Sequence, residues 1–115
     1  MKKLVYSPDY KEKVKELKKY LDMQFGESVR KRVLKEITDR LHLLLQNEDS
    51  GVSVKAIFGV DTQYEVVFVS HQYVFYRVDA DKIYIVNMYN EREDFMQKMF
   101  GIRTISRESE DFWGE

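Results

Sequence analysis

The sequence predicts an α+β domain of two layers, in which an N-terminal helical hairpin covers one face of an antiparallel β-sheet. Two observations predict it. Apolar residues recur at helical spacing as far as Gln46, and short runs of β-branched and aromatic residues between polar turns follow from Val54 onwards. The length of 115 residues suits one hydrophobic core. We therefore expect a single domain over residues 1–101, with the element order β-α-α-β-β-β-β-α.

The chain opens with a short strand and a long helix. Lys3–Tyr6 is the predicted strand, Ser7 is a good helix cap, and Pro8 suits the first helical position because its missing N–H costs nothing there. Gly26 is a natural helix end. The apolar stripe of this helix is expected to face the core and consists of Tyr10, Val14, Leu17 and Leu21.

A second helix is predicted from Glu27 to Gln46. The linker at Phe25–Gly26 is short, so the two helices should be antiparallel neighbours. Its apolar stripe consists of Val29, Val33, Ile37, Leu41, Leu44 and Leu45.

The rest of the domain has the pattern of a β-meander. The predicted strands are Val54–Val60, Tyr64–Val69, Tyr73–Val78 and Ile83–Tyr89. Asn90 and Glu93 have the spacing of a capping box, which predicts a short last helix ending at Gly101. Its apolar side would hold Phe95, Met96, Met99 and Phe100.

The last hairpin separates two sheet faces. If its turn has two or four residues, Val78 pairs with Ile83 and Arg77 with Tyr84, and cross-strand partners share a face. The aliphatic face should meet the helices and carries Val74, Tyr76, Val78, Ile83 and Ile85. The other face should be open and carries Tyr73, Phe75, Arg77, Tyr84, Val86 and Met88.

An open face of this kind has two interpretations. Aromatic rings stack on bases and arginine binds phosphate in a fork, so the face would suit a nucleic acid or a partner peptide. Alternatively, Tyr73, Phe75 and Tyr84 only stabilise their strands, and Arg77 extends to water.

Composition limits the classes of function. Net charge is −1, which does not predict general nucleic-acid binding, and the absence of cysteine excludes disulfides and thiol chemistry. Charge is uneven, because residues 1–40 hold 12 Lys/Arg and 7 Asp/Glu whereas residues 41–115 hold 7 and 13. This asymmetry indicates either solvated helices or a basic face for an acidic partner. Nothing predicts a signal peptide, a membrane span, a cofactor or a metal ion, and we expect a cytoplasmic protein.

Three stretches carry a resemblance to a known family: "LVYSPDYKEKVKELKKYL", "YVFYRVDADKIYIVNMY" and "NERED". Their order and spacing over residues 3–100 resemble the RelE/ParE superfamily of bacterial type II toxin–antitoxin systems, which serve plasmid stabilisation. The resemblance implies growth inhibition by one of two actions. RelE-like toxins cut ribosome-bound mRNA, whereas ParE-like toxins inhibit DNA gyrase and cleave nothing. It also implies a cognate antitoxin whose tail wraps the toxin over its sheet and helices.

The resemblance also implies candidate catalytic residues. Arg92 falls where the family has a functional arginine after the last strand, and Lys55 falls near the lysines of the second strand of RelE-like toxins. Lys98 and Phe100 lie where the family has a catalytic tyrosine, for which either Tyr89 or Tyr84 would substitute, and Arg77 adds a cation. Tyr73 replaces a strand arginine. These departures, and the acidic β half, weigh against mRNA cleavage, so whether the protein is an enzyme is open at this point.

A second class of function stays open beside the toxin. The open face, with Tyr73, Phe75 and Tyr84 as its partner-binding residues, would suit a non-catalytic interaction module that takes a peptide. Residues 102–115 are predicted to form a tail that is either disordered or docked through Phe112 and Trp113 on this domain or on a partner.

Overall fold

The computed structural model describes residues 2–93 and 95–101, and for residues 96 and 97 only the backbone. The five strands are β1 (Lys3–Tyr6), β2 (Val52–Ser53), β3 (Glu65–Val69), β4 (Gln72–Val78) and β5 (Lys82–Asn90). The helices are α1 (Pro8–Phe25), α2 (Glu27–Leu43), α3 (Val54–Phe58) and α4 (Phe95–Phe100), with a 3-10 turn at Glu48–Ser50. Within the described ranges, no helix has the length and apolar character needed to cross a membrane.

The strands form one sheet in the order β1-β5-β4-β3-β2. β1 runs parallel to β5, and the other neighbours are antiparallel. The chain enters its first helix from the edge strand β1 and returns to the sheet only after α2. The α+β class with a helical hairpin on the sheet is therefore confirmed.

The helical hairpin begins and ends where its local chemistry predicts. The Ser7 hydroxyl accepts a hydrogen bond from the Tyr10 N–H at 2.9 Å and donates one to the Val86 carbonyl at 2.6 Å, so it ties α1 to β5. Pro8 occupies the first helical position, and Gly26 ends α1 with φ +91°, a conformation that favours glycine. α2 starts immediately and ends at Leu43, three residues before the predicted Gln46.

The main core lies between this hairpin and one face of the sheet. Leu41, Leu44, Val74, Tyr76, Ile83 and Ile85 are each at most 1 % exposed there. The five residues predicted to face the helices all belong to this core, with Val78 at its margin. The prediction of the helix-facing side of the sheet is therefore confirmed.

The predicted strand Val54–Val60 is wrong. This segment begins as helix α3, and the second strand is only Val52–Ser53, paired with β3. Ser53 caps the helix by accepting a hydrogen bond from the Ala56 N–H at 3.3 Å, and Gly59 ends it in the left-handed region at φ +73°. The helix covers part of the second sheet face, where Val54 is fully buried.

The second sheet face is more covered than predicted. Val78 pairs with Ile83 and Arg77 with Tyr84 as predicted, but a β-bulge beyond Tyr76 shifts the later pairs by one residue. Val74 therefore pairs with Met88, and Met88 lies in the main core instead of on the open face.

The same face carries a second, aromatic core. α3 and α4 pack over it and bury Val54, Val66, Phe75, Tyr89 and Phe95. The prediction that Phe75 is exposed is wrong, because its side chain is fully buried against the Tyr89, Phe95 and Phe100 rings.

The Asn90 capping box forms, but in a turn ahead of the last helix. The Asn90 N–H donates to Glu93 Oε2 at 3.2 Å, and Asn90 Oδ1 accepts from the Arg92 N–H at 2.9 Å. α4 begins only at Phe95 and ends before Gly101, at φ +69°. Phe95, Met99 and Phe100 pack on the sheet as predicted, whereas the Met96 side chain and the tail at 102–115 lie outside the described residues.

Candidate functional site

A concave surface forms a groove between the tip of the helical hairpin and one end of the sheet. Its cavity measures about 990 Å³. One wall comes from α1 and α2, and the other from the β3–β4 turn and the segment after β5. We call it the hairpin groove and define its apolar floor by Leu17, Tyr20, Phe25, Val29, Val33 and Met88.

The floor exposes large apolar side chains. Tyr20 is 54 % exposed and Phe25 is 59 % exposed, and their rings meet edge-on with centroids 6.3 Å apart. Met23, beside them on α1, is 75 % exposed. Contiguous exposed aromatics next to a cleft are typical of a surface that binds a protein or peptide.

The rim of the groove is polar and carries both signs of charge. Its members include Arg32, Glu36, Ser70, His71, Glu91 and Arg92, and Lys13, Glu16 and Glu93 also line the groove. The Ser70 hydroxyl donates to Glu36 Oε1 at 2.7 Å, and His71 Nδ1 lies 2.8 Å from Glu91 Oε2. Within the described residues, the guanidinium groups of Arg32 and Arg92 have no ion pair.

The β3–β4 turn at this rim holds two residues in the left-handed region. Ser70 has φ +51° and His71 has φ +65°, which is the conformation of a tight hairpin turn usually built from Asn and Gly. Residues other than glycine adopt it at a cost, so surrounding contacts must hold it. The bonds to Glu36 and Glu91 supply such contacts and fix the shape of the rim.

Tyr89 lies behind the groove in a charged network rather than on an open surface. It is 6 % exposed, its hydroxyl accepts from Asn87 Nδ2 at 3.1 Å, and Lys13 Nζ lies 4.4 Å from its ring centroid. Burial first, and the carboxylates of Glu93 and Asp9 next, raise the pKa of Tyr89. The phenol therefore stays protonated, which does not suit a general base.

Glu93 organises the same network. Its carboxylate contacts Lys13 at 3.4 Å and Lys98 at 3.3 Å, and it accepts the Asn90 N–H. Burial alone would raise the pKa of Glu93, but the Asn90 N–H and the two ammonium groups outweigh burial and lower the pKa below its usual value. Glu93 is thus an anion that holds α1, the end of β5 and α4 together.

Arg77 and Tyr84 lie together at the far end of the β4–β5 hairpin. The guanidinium lies 4.6 Å from the Tyr84 ring centroid and 3.3 Å from Asp79 Oδ1. Both side chains are half-exposed on the second face, as predicted. Tyr89 pairs with Tyr73 on β4, and Arg77 lies four residues further along the same strand. At the usual rise per residue of a β-strand, Arg77 is therefore about 13 Å from Tyr73.

Lys55 is exposed on α3, because the strand predicted to carry it is a helix. Its Nζ pairs with Asp61 Oδ1 at 3.4 Å. Helix α3 follows β2 directly, and β2 lies three strands from β5 in the sheet order, about 14 Å away. Lys55 is therefore remote from Tyr89.

Of the seven predicted site residues, only Arg92 lines the hairpin groove. Tyr73 packs between the Phe58, Phe68 and Phe95 rings and is half-buried. Within the described residues, no three His, Asp or Glu side chains form a cluster suited to a metal ion.

Sequence reasoning missed Tyr20, Phe25 and Arg32 as site residues. A signal for two of them was present, because Tyr20 and Phe25 fall outside the core stripe of α1 and place large apolar groups next to the hairpin turn.

The fold and groove define a small α+β domain with exposed aromatic side chains in a cleft, which is typical of proteins that bind another polypeptide. The sequence matches the family described as "ParE toxin of type II toxin-antitoxin system, parDE" over residues 4–95, which is most of the chain. The chain therefore belongs to the ParE family of type II toxins, and the predicted superfamily is confirmed.

A solved structure agrees at the level of the fold. A chain described as "Chromosomal ParDE TA system from P. aeruginosa" superposes with a TM-score of 0.65 at 12 % identity, covering 78 % of this chain and 96 % of that one. No curated protein sequence matches the chain.

Proposed function

We propose that this protein inhibits bacterial growth by acting on DNA gyrase, that a cognate antitoxin neutralises it, and that it works in the cytoplasm in plasmid stabilisation. Membership of the ParE family supports the gyrase target over ribosome-bound mRNA. The observation that favours gyrase over mRNA is that the candidate nuclease residues lie far apart. Lys55 lies on helix α3, and Arg77 and Tyr89 lie on separate parts of the sheet, whereas concerted acid–base chemistry needs such groups within hydrogen-bond reach of one substrate.

Inducible expression in a bacterial host separates the two targets. A gyrase-directed toxin first removes negative supercoils from a reporter plasmid, which chloroquine gels detect, while mRNA stays intact. Early translation arrest with cut mRNA and unchanged supercoiling would instead identify a RelE-like nuclease. A folded, well-expressed protein with no effect on growth would contradict the toxin function itself.

We further propose that the antitoxin binds along the hairpin groove. The floor offers exposed Tyr20 and Phe25, and the rim offers the guanidinium groups of Arg32 and Arg92, so an amphipathic segment with acidic residues fits both features.

The test uses the product of the neighbouring gene if it encodes a small DNA-binding protein. Tyr20→Asp should weaken its binding by at least about tenfold, since one buried aromatic contact is worth more than 1.4 kcal/mol. Leu43→Asp is the matched control, because Leu43 is 52 % exposed on α2 outside the groove. Equal affinities for the two variants would place the antitoxin elsewhere.

The interaction-module alternative is less well supported. Such a module would bind a peptide on the open sheet face, but α3 and α4 partly cover that face. Phe75, one of its three predicted binding residues, is fully buried.

A further inference from the structure

We propose that the C-terminal segment of this chain, residues 102–115, docks into the hairpin groove of the same molecule and places Phe112 and Trp113 on its apolar floor. The segment reads "IRTISRESEDFWGE" and lies outside the described residues. Docking of the segment does not depend on the target of the toxin. Its consequence, which is competition with the antitoxin for one groove, rests on the proposed function.

The first support is the chemical match. The floor exposes Tyr20 and Phe25, and an apolar surface of that kind takes aromatic side chains. The segment places two neighbouring aromatics, Phe112 and Trp113, after the polar stretch Ser106–Asp111.

The second support is charge. The segment carries four carboxylates, Glu108, Glu110, Asp111 and Glu115, against two cations, Arg103 and Arg107, and the carboxylates are the charged groups nearest to the aromatics. On the rim, the carboxylates of Glu36 and Glu91 contact Ser70 and His71, whereas the guanidinium groups of Arg32 and Arg92 have no ion pair within the described ranges. Guanidinium groups bind carboxylates in paired hydrogen bonds, so the acidic residues can flank aromatics seated on the floor.

The third support is reach. The groove is lined by Asn90 to Glu93, and α4 follows within two residues and spans only six, about 9 Å. Phe112 lies eleven residues beyond Gly101, and an extended chain of that length spans about 36 Å. The tether is therefore long enough to return around the end of the sheet into the groove.

Tethering also lowers the affinity that docking requires. A short flexible linker gives an effective concentration on the order of millimolar, so a contact with a millimolar dissociation constant is already about half occupied.

The experiment uses the full-length chain and its single tryptophan, Trp113, as the reporter. In the intact protein, Trp113 should emit at shorter wavelength than in a synthetic peptide of residues 102–115. Its acrylamide quenching constant should be lower by about twofold, in line with half occupancy. Arg32→Glu and Tyr20→Ser should each move both values towards those of the peptide.

Matched controls keep the test interpretable. Lys35→Glu changes the same charge on α2 outside the groove, at a side chain that pairs with Asp39 at 2.7 Å, and Leu43→Ser removes an equally exposed apolar group. Both should leave Trp113 protected, and circular dichroism should show the same helix content in all variants.

Three results would overturn the inference. The first is a wild-type Trp113 as quenchable as the peptide. The second is protection that the groove variants change no more than the controls do, which would mean docking elsewhere. The third is protection that disappears on dilution, which would mean that the segment occupies a second copy of the chain. None of these results depends on toxicity or on an antitoxin, so they are separable from failure of the proposed function.

Discussion

At Gly51 the backbone runs directly against the ring of Tyr76, and a Cβ there would overlap the Tyr76 hydroxyl. The backbone angles of Gly51, φ −85° and ψ −175°, are open to any residue, so only the lack of space selects glycine. Tyr76 cannot move away easily, because its ring is fully buried and its hydroxyl lies 3.2 Å from both the Glu48 carbonyl and Glu65 Oε1.

Gly51→Ala should therefore destabilise the protein by about 1–3 kcal/mol, the usual cost of overpacking. Urea denaturation measures the change. Asp49→Ala, an exposed position two residues earlier, is the control and should change the free energy of unfolding by less than about 0.5 kcal/mol. Equal effects of the two substitutions would show that the Tyr76 ring can shift at no cost.

Glu93 links stability to pH. Its folded pKa lies below the usual value of 4.5, so its stabilising effect is complete above that value and is lost as pH falls through the folded pKa. Glu93→Gln should thus cost about 0.5–1.5 kcal/mol at pH 7, and the difference from wild type should vanish as pH falls below the folded pKa of Glu93.

Urea denaturation across this pH range tests the Glu93 prediction. Glu16→Gln is the control, because Glu16 is exposed and makes no ion pair within the described residues, and it should show no such pH-dependent loss. A Glu93→Gln difference that stays constant with pH would mean that the charge of Glu93 contributes nothing to the fold.

At the scale of elements, the helical hairpin was predictable because its signals are local and agree. Ser7, Pro8 and Gly26 each act on the backbone within one turn, and the apolar stripes are long enough to define a helical period. Helix α3 was missed because a run of seven mostly apolar residues does not distinguish a strand from a short helix. The cap at Ser53 and the left-handed Gly59 were the available local signals.

The β-bulge in the β4–β5 pair could not be predicted from the sequence, because no local signal determines it. The pairs nearest the turn, Val78 with Ile83 and Arg77 with Tyr84, follow from turn length alone. The shift beyond Tyr76 is a tertiary effect, since it lets Met88 enter the main core while Tyr89 enters the aromatic one. A one-residue insertion of this kind moves every later side chain to the other face.

Helix α2 offers a matched test of which side faces the core. Leu41 is 1 % exposed in the main core, whereas Leu43 is 52 % exposed on the same helix. Leu41→Ala should destabilise the protein by about 2–5 kcal/mol, because it removes buried methyl groups and leaves a cavity. Leu43→Ala should cost less than about 0.5 kcal/mol. Similar losses for both, measured by urea denaturation, would contradict the orientation of α2.

At the scale of the whole molecule, the hairpin groove explains why so few site residues were predicted. Its walls come from α1, α2, the β3–β4 turn and the end of β5, which are brought together only by the fold. Sequence reasoning looked for the site on the last hairpin, where Arg77 and Tyr84 are indeed half-exposed but distant from the groove. Arg92 was found because a resemblance in order and spacing points to the end of β5.

Arg92 therefore carries the last prediction. Its side chain is exposed at the groove rim, and among the described residues its one hydrogen bond is from the backbone N–H to Asn90 Oδ1 at 2.9 Å. Arg92→Ala keeps that backbone bond, so the free energy of unfolding should change by less than about 0.5 kcal/mol. Toxicity on induction should nevertheless fall, because an exposed guanidinium without an ion pair among the described residues is available to the target.

Lys35→Ala, on α2 outside the groove, is the control and should stay toxic at equal expression. Full toxicity of Arg92→Ala at wild-type expression would remove Arg92 from the site and leave the groove as a surface for the antitoxin alone.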